Sequence, residues 1–92
     1  MPAELDQAIY RYEIPVDGEW HILALSGGVL HVDCRALDTV EIWALHSGGP
    51  ELQRAFQVVG TGQPLPDEWK RHVGTCLSPD RRLVWHVVER HP

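Results

Sequence analysis

An all-β domain, built as a small antiparallel barrel or sandwich of about seven strands, is the fold class this 92-residue sequence predicts. Three observations carry the expectation. Apolar and polar residues alternate with period two in run after run. Clusters of Gly, Pro, Asp and Ser separate the runs at spacings of roughly 8–12 residues. No amphipathic helix longer than two turns can be traced through any segment.

The first run, residues 9–14, sets Tyr10, Tyr12 and Ile14 on one side and Arg11 and Glu13 on the other, and Pro15, Asp17 and Gly18 stop it. Residues 20–25 follow, with Trp20, Ile22 and Ala24 opposite His21, Leu23 and Leu25. Ser26-Gly27-Gly28 is a tight connection to residues 29–34, where Leu30, Val32 and Cys34 oppose His31 and Asp33, so these two runs read as a hairpin. Residues 39–46 alternate Val40, Ile42 and Ala44 against Glu41, Trp43 and Leu45. Ser47-Gly48-Gly49-Pro50 ends that run, and residues 52–60 resume the pattern through Phe56 and Val58. Residues 73–77 and 83–89 close the chain as a second hairpin around Ser78-Pro79-Asp80-Arg81, whose Pro-Asp pair suits a type I turn.

One stretch is irregular: residues 60–71, with two Gly and two Pro that no ladder accommodates. It reads as an ordered loop in which Asp67 caps a short helical turn near Trp69. The whole forms one domain over residues 1–92, with a flexible N-terminus over residues 1–7.

Composition excludes several functions. Eight Lys and Arg against 13 Asp and Glu, a formal charge of −5, offer no basic footprint for phosphates, so nucleic-acid binding is unlikely. Six His would cancel that surplus if all were protonated, near about pH 6. No run approaches the roughly 20 apolar residues of a membrane span, and the acidic start lacks the apolar core of a signal peptide, which points to a cytoplasmic protein without a membrane partner. Cys34 and Cys76 fit that setting better as small buried hydrophobes than as a disulfide.

Candidate chemistry is sparse. His31, His46, His72 and His86 lie alone on separate strands, and neither a C-x-x-C nor an H-x-H pair supports a metal, so no metal and no cofactor are expected. His72 beside Thr75-Cys76, or Ser47 after His46, could serve nucleophilic chemistry, but no nucleophile elbow accompanies them. Trp43 and Trp85, inside apolar strands, are expected in the core. The candidate ligand-binding residues are Gly60, Thr61, Gly62, Trp69, Arg71 and His72. Glycine amides freed of Cβ crowding can form an anion-binding concavity, though a strand-to-loop corner explains the same residues. Trp69 beside Lys70, Arg71 and His72 is a small basic-aromatic surface on an acidic protein; it could equally fold back as a lid over the core.

The runs Ile42-Trp43-Ala44-Leu45, Val58-Val59-Gly60-Thr61-Gly62-Gln63-Pro64-Leu65-Pro66, His72-Val73-Gly74-Thr75 and Val84-Trp85-His86-Val87 resemble a family of short uncharacterised proteins of bacteriophages and prophages. The resemblance extends over residues 9–89 and implies a small phage protein in the host bacterial cytoplasm, with no catalytic residues to carry over. The resulting expectation is a non-enzymatic accessory or host-interaction module that binds a host protein. The alternatives are a homo-oligomeric sequesterer of a small anionic, nucleotide-like ligand and, after it, a small hydrolase.

Overall fold

The computed structural model describes residues 7–90, folded into seven strands: β1 (Ala8–Pro15), β2 (His21–Leu25), β3 (Val29–Ala36), β4 (Thr39–His46), β5 (Leu52–Gly60), β6 (Arg71–Leu77) and β7 (Val84–Arg90). The expected flexible segment over residues 1–7 lies outside the described residues except for Gln7. Two antiparallel sheets form, one ordered β1-β4-β3 and the other β2-β5-β7-β6. They stack as a sandwich rather than closing into a barrel.

The alternation read from the sequence decides which side chains meet between the sheets. Ile14, Val40, Ile42, Ala44, Val32 and Cys34 come from the three-stranded sheet. Phe56, Val58, Val87, Cys76 and Leu25 come from the other, and together they make one buried cluster. Removing this apolar surface from water supplies the main drive to fold. Cys34 and Cys76 are free, buried thiols, and burial raises the pKa of both, that of Cys76 to about 11.

Four expectations are corrected. Residues 20–25 and 29–34 do not form a hairpin: β2 pairs with β5 and β3 with β4. The Ser26-Gly27-Gly28 connection instead crosses between sheets and is stitched to the end of β4, where Leu45 N donates to Gly28 O at 2.9 Å and Ser47 Oγ to Ser26 O at 2.7 Å. A Cβ on Gly27 would collide with the Leu45 carbonyl, so the crossing needs glycine there. Leu30 does not join Val32 in the core, because a register shift between Val29 and His31 turns it out to solvent. Trp43 is half-buried on the outer face of its sheet, where its alternation with Ile42 puts it, under Arg35 and beside His31. Trp85 does pack against the core.

The fourth correction concerns the irregular stretch. Among the described residues there is no helix; near Trp69 a single turn closes through Trp69 N donating to Pro66 O at 3.1 Å. Lys70 N donates to Glu89 O at 2.7 Å and draws the chain onto β7, so Arg71 and His72 already belong to β6. The β6–β7 pairing confirms the second hairpin.

Candidate functional site

The six candidate residues separate into three places. Gly60, Thr61 and Gly62 form a tight corner leaving β5: Gln63 N donates to Gly60 O at 3.1 Å, and Gly62 takes a φ of +90°, which favours glycine. Two of its three amides are already engaged. Gly60 N donates to Gln63 Oε1 at 2.7 Å and Thr61 N to Val84 O at 3.1 Å. The glycine corner therefore offers no open cradle of these amides to an anion, and the strand-to-loop reading describes it. Trp69 stays on the loop, 39% exposed.

His72 goes to the outer face of the four-stranded sheet and there meets Thr61. The cause is a bulge in β6: His72 pairs with Val88 but Gly74 with Val87, so Val73 is an extra residue. In an unbroken strand His72 and Thr75 would face opposite sides; the bulge sets both on the outer face with His86 of β7. His72 Nε2 lies 2.8 Å from Thr75 Oγ1, which lies 2.9 Å from His86 Nδ1, and His86 Nε2 lies 2.8 Å from Thr61 Oγ1. The Val84 carbonyl, 3.5 Å from Thr61 Oγ1, can only accept, and one assignment of protons and tautomers satisfies every contact of the chain. His72 Nε2–H donates to Thr75, the Thr75 hydroxyl to His86 Nδ1, His86 Nε2–H to Thr61, and the Thr61 hydroxyl to Val84 O.

Arg71 points the other way, toward a cleft of about 690 Å³ at one end of the same sheet. The cleft is lined by Glu51, Leu52, Gln53 and Arg54 from β5 and the residues before it, Lys70 and Arg71 at the start of β6, and Glu89 and Arg90 at the end of β7. Glu89 organises it. Arg54 donates to its carboxylate through Nε at 2.6 Å and Nη2 at 2.7 Å, and Arg71 adds Nε at 2.9 Å. Burial alone would raise the pKa of Glu89, yet hydrogen bonds and charge from Arg54 and Arg71 prevail and lower it. Arg54 rests over Phe56, 5.3 Å from the ring centroid. Arg90 lies 5.0 Å over Trp20 and reaches Glu68 at 2.8 Å, but its Nε is buried without a partner. Lys70 makes no ion pair among the described residues. Of the four cations that line the cleft, Arg54 and Arg71 meet Glu89 and Arg90 meets Glu68, which leaves Lys70 without a carboxylate partner among the described residues.

The whole described chain from β1 to β7 falls within the match to one family model, a domain of unknown function (DUF7352), over residues 6–92. The chain belongs to the DUF7352 family. No curated protein and no solved structure matches it.

Two other arrangements bear on chemistry. Ser26 Oγ lies 3.1 Å from His46 Nδ1, the contact a nucleophile and its base would make, but Ser26 Oγ also accepts Ser47 N–H at 3.0 Å, and no hydrogen-bonded carboxylate orients the ring among the described residues. On the outer face of the other sheet, Glu41 accepts from Arg35 Nε and Nη2 at 2.6 and 2.7 Å and from Arg11 Nη1. These hydrogen bonds, led by those from Arg35, hold its pKa down to about 2.

Thr75, His86, Glu89, Arg54 and Arg90 were missing from the candidate residues. The signal was present only in part: His86 stood out as a lone strand histidine. Arg54 and Glu89, 35 residues apart, gave none.

Proposed function

We propose that this DUF7352 chain is a non-enzymatic binding module that takes a small anionic ligand, of the carboxylate or phosphate class, in the cleft at the ends of β5, β6 and β7. One observation carries the reading: Arg54, Lys70 and Arg71 line a concavity whose volume lies within the roughly 300–1,000 Å³ of small-molecule sites. Glu89 fixes the two guanidiniums of Arg54 and Arg71 in place, while Lys70 supplies a charge and donors that Glu89 does not consume. Of the residues expected at an anion site, Arg71 belongs to this cleft. The acidic balance of the whole chain does not conflict, because the attraction is local.

Thermal unfolding with pyrophosphate, AMP and citrate tests the proposal. A bound anion at 100 times its Kd stabilises the fold by about 2.7 kcal/mol. The expected result is a rise in Tm for at least one of the three, reduced in Lys70→Ala and Arg71→Ala. No shift with any probe overturns the reading.

A second reading, a phage or prophage accessory factor that binds a host protein in the cytoplasm, draws on β1. This strand lies at the edge of its sheet and exposes Ile9 and Tyr10 at its start, so it could take up a partner strand. Loss of a retrieved host protein on Tyr10→Lys, with the fold intact, would support it over the cleft.

A further inference from the structure

We propose that His72 and His86 form a binding site for a divalent transition-metal ion of the zinc, nickel or copper class on the outer face of the four-stranded sheet. The site is independent of the anion cleft, since His72 and Arg71 leave β6 on opposite faces.

Spacing is the first argument. His72 Nε2 and His86 Nδ1 are 3.4 Å apart. Two imidazole nitrogens bound at 2.0–2.1 Å to one tetrahedral ion are separated by about 3.4 Å. The rings are tilted by 57° with centroids 5.5 Å apart, so they are not stacked against each other. Both nitrogens are aimed at one point, now occupied by the Thr75 hydroxyl at 2.8 and 2.9 Å.

Orientation is the second. A metal-ligating histidine almost always donates its other ring N–H to an oxygen that fixes its tautomer. In the proton assignment given above, His86 does so through Nε2–H to Thr61 Oγ1 and presents the Nδ1 lone pair at the site. His72 needs only to move its proton from Nε2 to Nδ1, a change of tautomer in an exposed ring. Rotation of Thr75 about χ1 vacates the central position. The remaining coordination positions face solvent and would be filled by water or by a donor from a ligand or a second molecule. Imidazole donors select zinc, nickel and copper over magnesium or calcium.

Histidine spacing along the chain could not show this pair. His72 and His86 are 14 residues apart, and only the antiparallel β6–β7 ladder, with its bulge, brings them together.

Titration calorimetry of the full chain with ZnCl2 and with NiCl2 at pH 7.5 is the test, run alongside NMR of the histidine side chains with substoichiometric Cu2+. Saturable binding of one ion per chain is expected, weakened at least tenfold in His72→Gln and in His86→Gln. Thr61→Val, which removes the oxygen that orients His86, should weaken binding about tenfold, as loss of an outer-shell partner does. Cu2+ should broaden the imidazole signals of His72 and His86 before those of His21, His31 and His46. Because His72 is exposed on an edge strand, its variant keeps the proposal testable if His86→Gln fails to fold. Absence of saturable binding, an unchanged isotherm in His72→Gln, or copper broadening centred on other histidines overturns the proposal.

Discussion

Each sheet holds one buried glutamate between two arginines, and the two clasps differ in what surrounds them. Glu41, on the central strand β4, is gripped by Arg11 and Arg35, whose side chains are 43% and 62% exposed. Arg11 also reaches Glu13 at 3.0 Å, so two cations face two carboxylates in a closed local balance. Glu89, near the end of β7, is gripped by Arg54 and Arg71, and here Arg54 is itself only 15% exposed. Lys70 and Arg90 stand beside that pair with no second buried carboxylate to meet them. The same motif thus serves two purposes. Where charge is balanced on an open face it fastens strands β1, β4 and β3 together, and at the cleft it ties β5, β6 and β7 together while Lys70 stands without a carboxylate partner among the described residues.

That contrast can be broken or sharpened by measurement. The largest effect belongs to Glu89→Gln, which strands a largely buried guanidinium on Arg54; a loss of about 3 kcal/mol is expected in urea unfolding, at the low end for breaking a buried pair. Glu41→Gln should cost clearly less, since both of its arginines can turn to water. Equal losses would erase the distinction between the clasps.

Next in size is Gly74→Ala. Its Cβ would collide with Val32, at the close approach of β6 to β3, and overpacking of this kind costs about 1–3 kcal/mol. Because Gly74 adjoins the bulge, chemical shifts of His72 and Thr75 should move with it while those around Glu41 stay fixed. Gly62→Ala meets open space but must adopt a φ of +90°, so about 1 kcal/mol of strain is expected, confined to the corner at Thr61.

The acid response separates the clasps by charge. Glu41 and Glu89 both have pKa values depressed in the folded state, so each contributes stability that is complete above its ordinary value of 4.5 and is lost as the pH falls through the folded value. For Glu41 that loss extends down to about pH 2. Unfolding curves of the native chain and Glu41→Gln should therefore converge between pH 4.5 and 2. A constant difference across that range would show that the carboxylate charge is not what Arg11 and Arg35 stabilise.

Much of this architecture could be read in the sequence, for a definite reason. Period-two alternation reports which side of a strand a residue faces, and β1, β2 and β4 kept the sides assigned to them, down to Tyr12, Ile14, Ile42 and Ala44 pointing inward. Alternation carries no information about partners. A short Ser-Gly-Gly link looks the same whether it closes a hairpin or changes sheets, and only the collision between a Cβ at Gly27 and the Leu45 carbonyl reveals the second use. Trp43 shows the opposite failure, where the expectation that a large aromatic belongs in the core overrode an alternation that was correct. The site was less legible still. Thr61 and His72 were marked as candidates, but the tie between them passes through His86 and Thr75 and depends on a single inserted residue, Val73.

The sheet order also has a kinetic meaning. Only β3–β4 and β6–β7 join strands that follow one another in the chain; β1–β4, β2–β5 and β5–β7 each wait for distant segments to meet. Closing such long loops before their contacts can form raises the folding barrier, and β-rich topologies of this kind fold in roughly milliseconds to seconds. One local hairpin lies in each sheet, so each half of the sandwich has its own place to begin, and the docking of β5 between β2 and β7 completes the four-stranded sheet. The cleft that Glu89 organises takes residues from β5, β6 and β7, so it can form only once β5 has joined β7, and it is lost when β5 lets go.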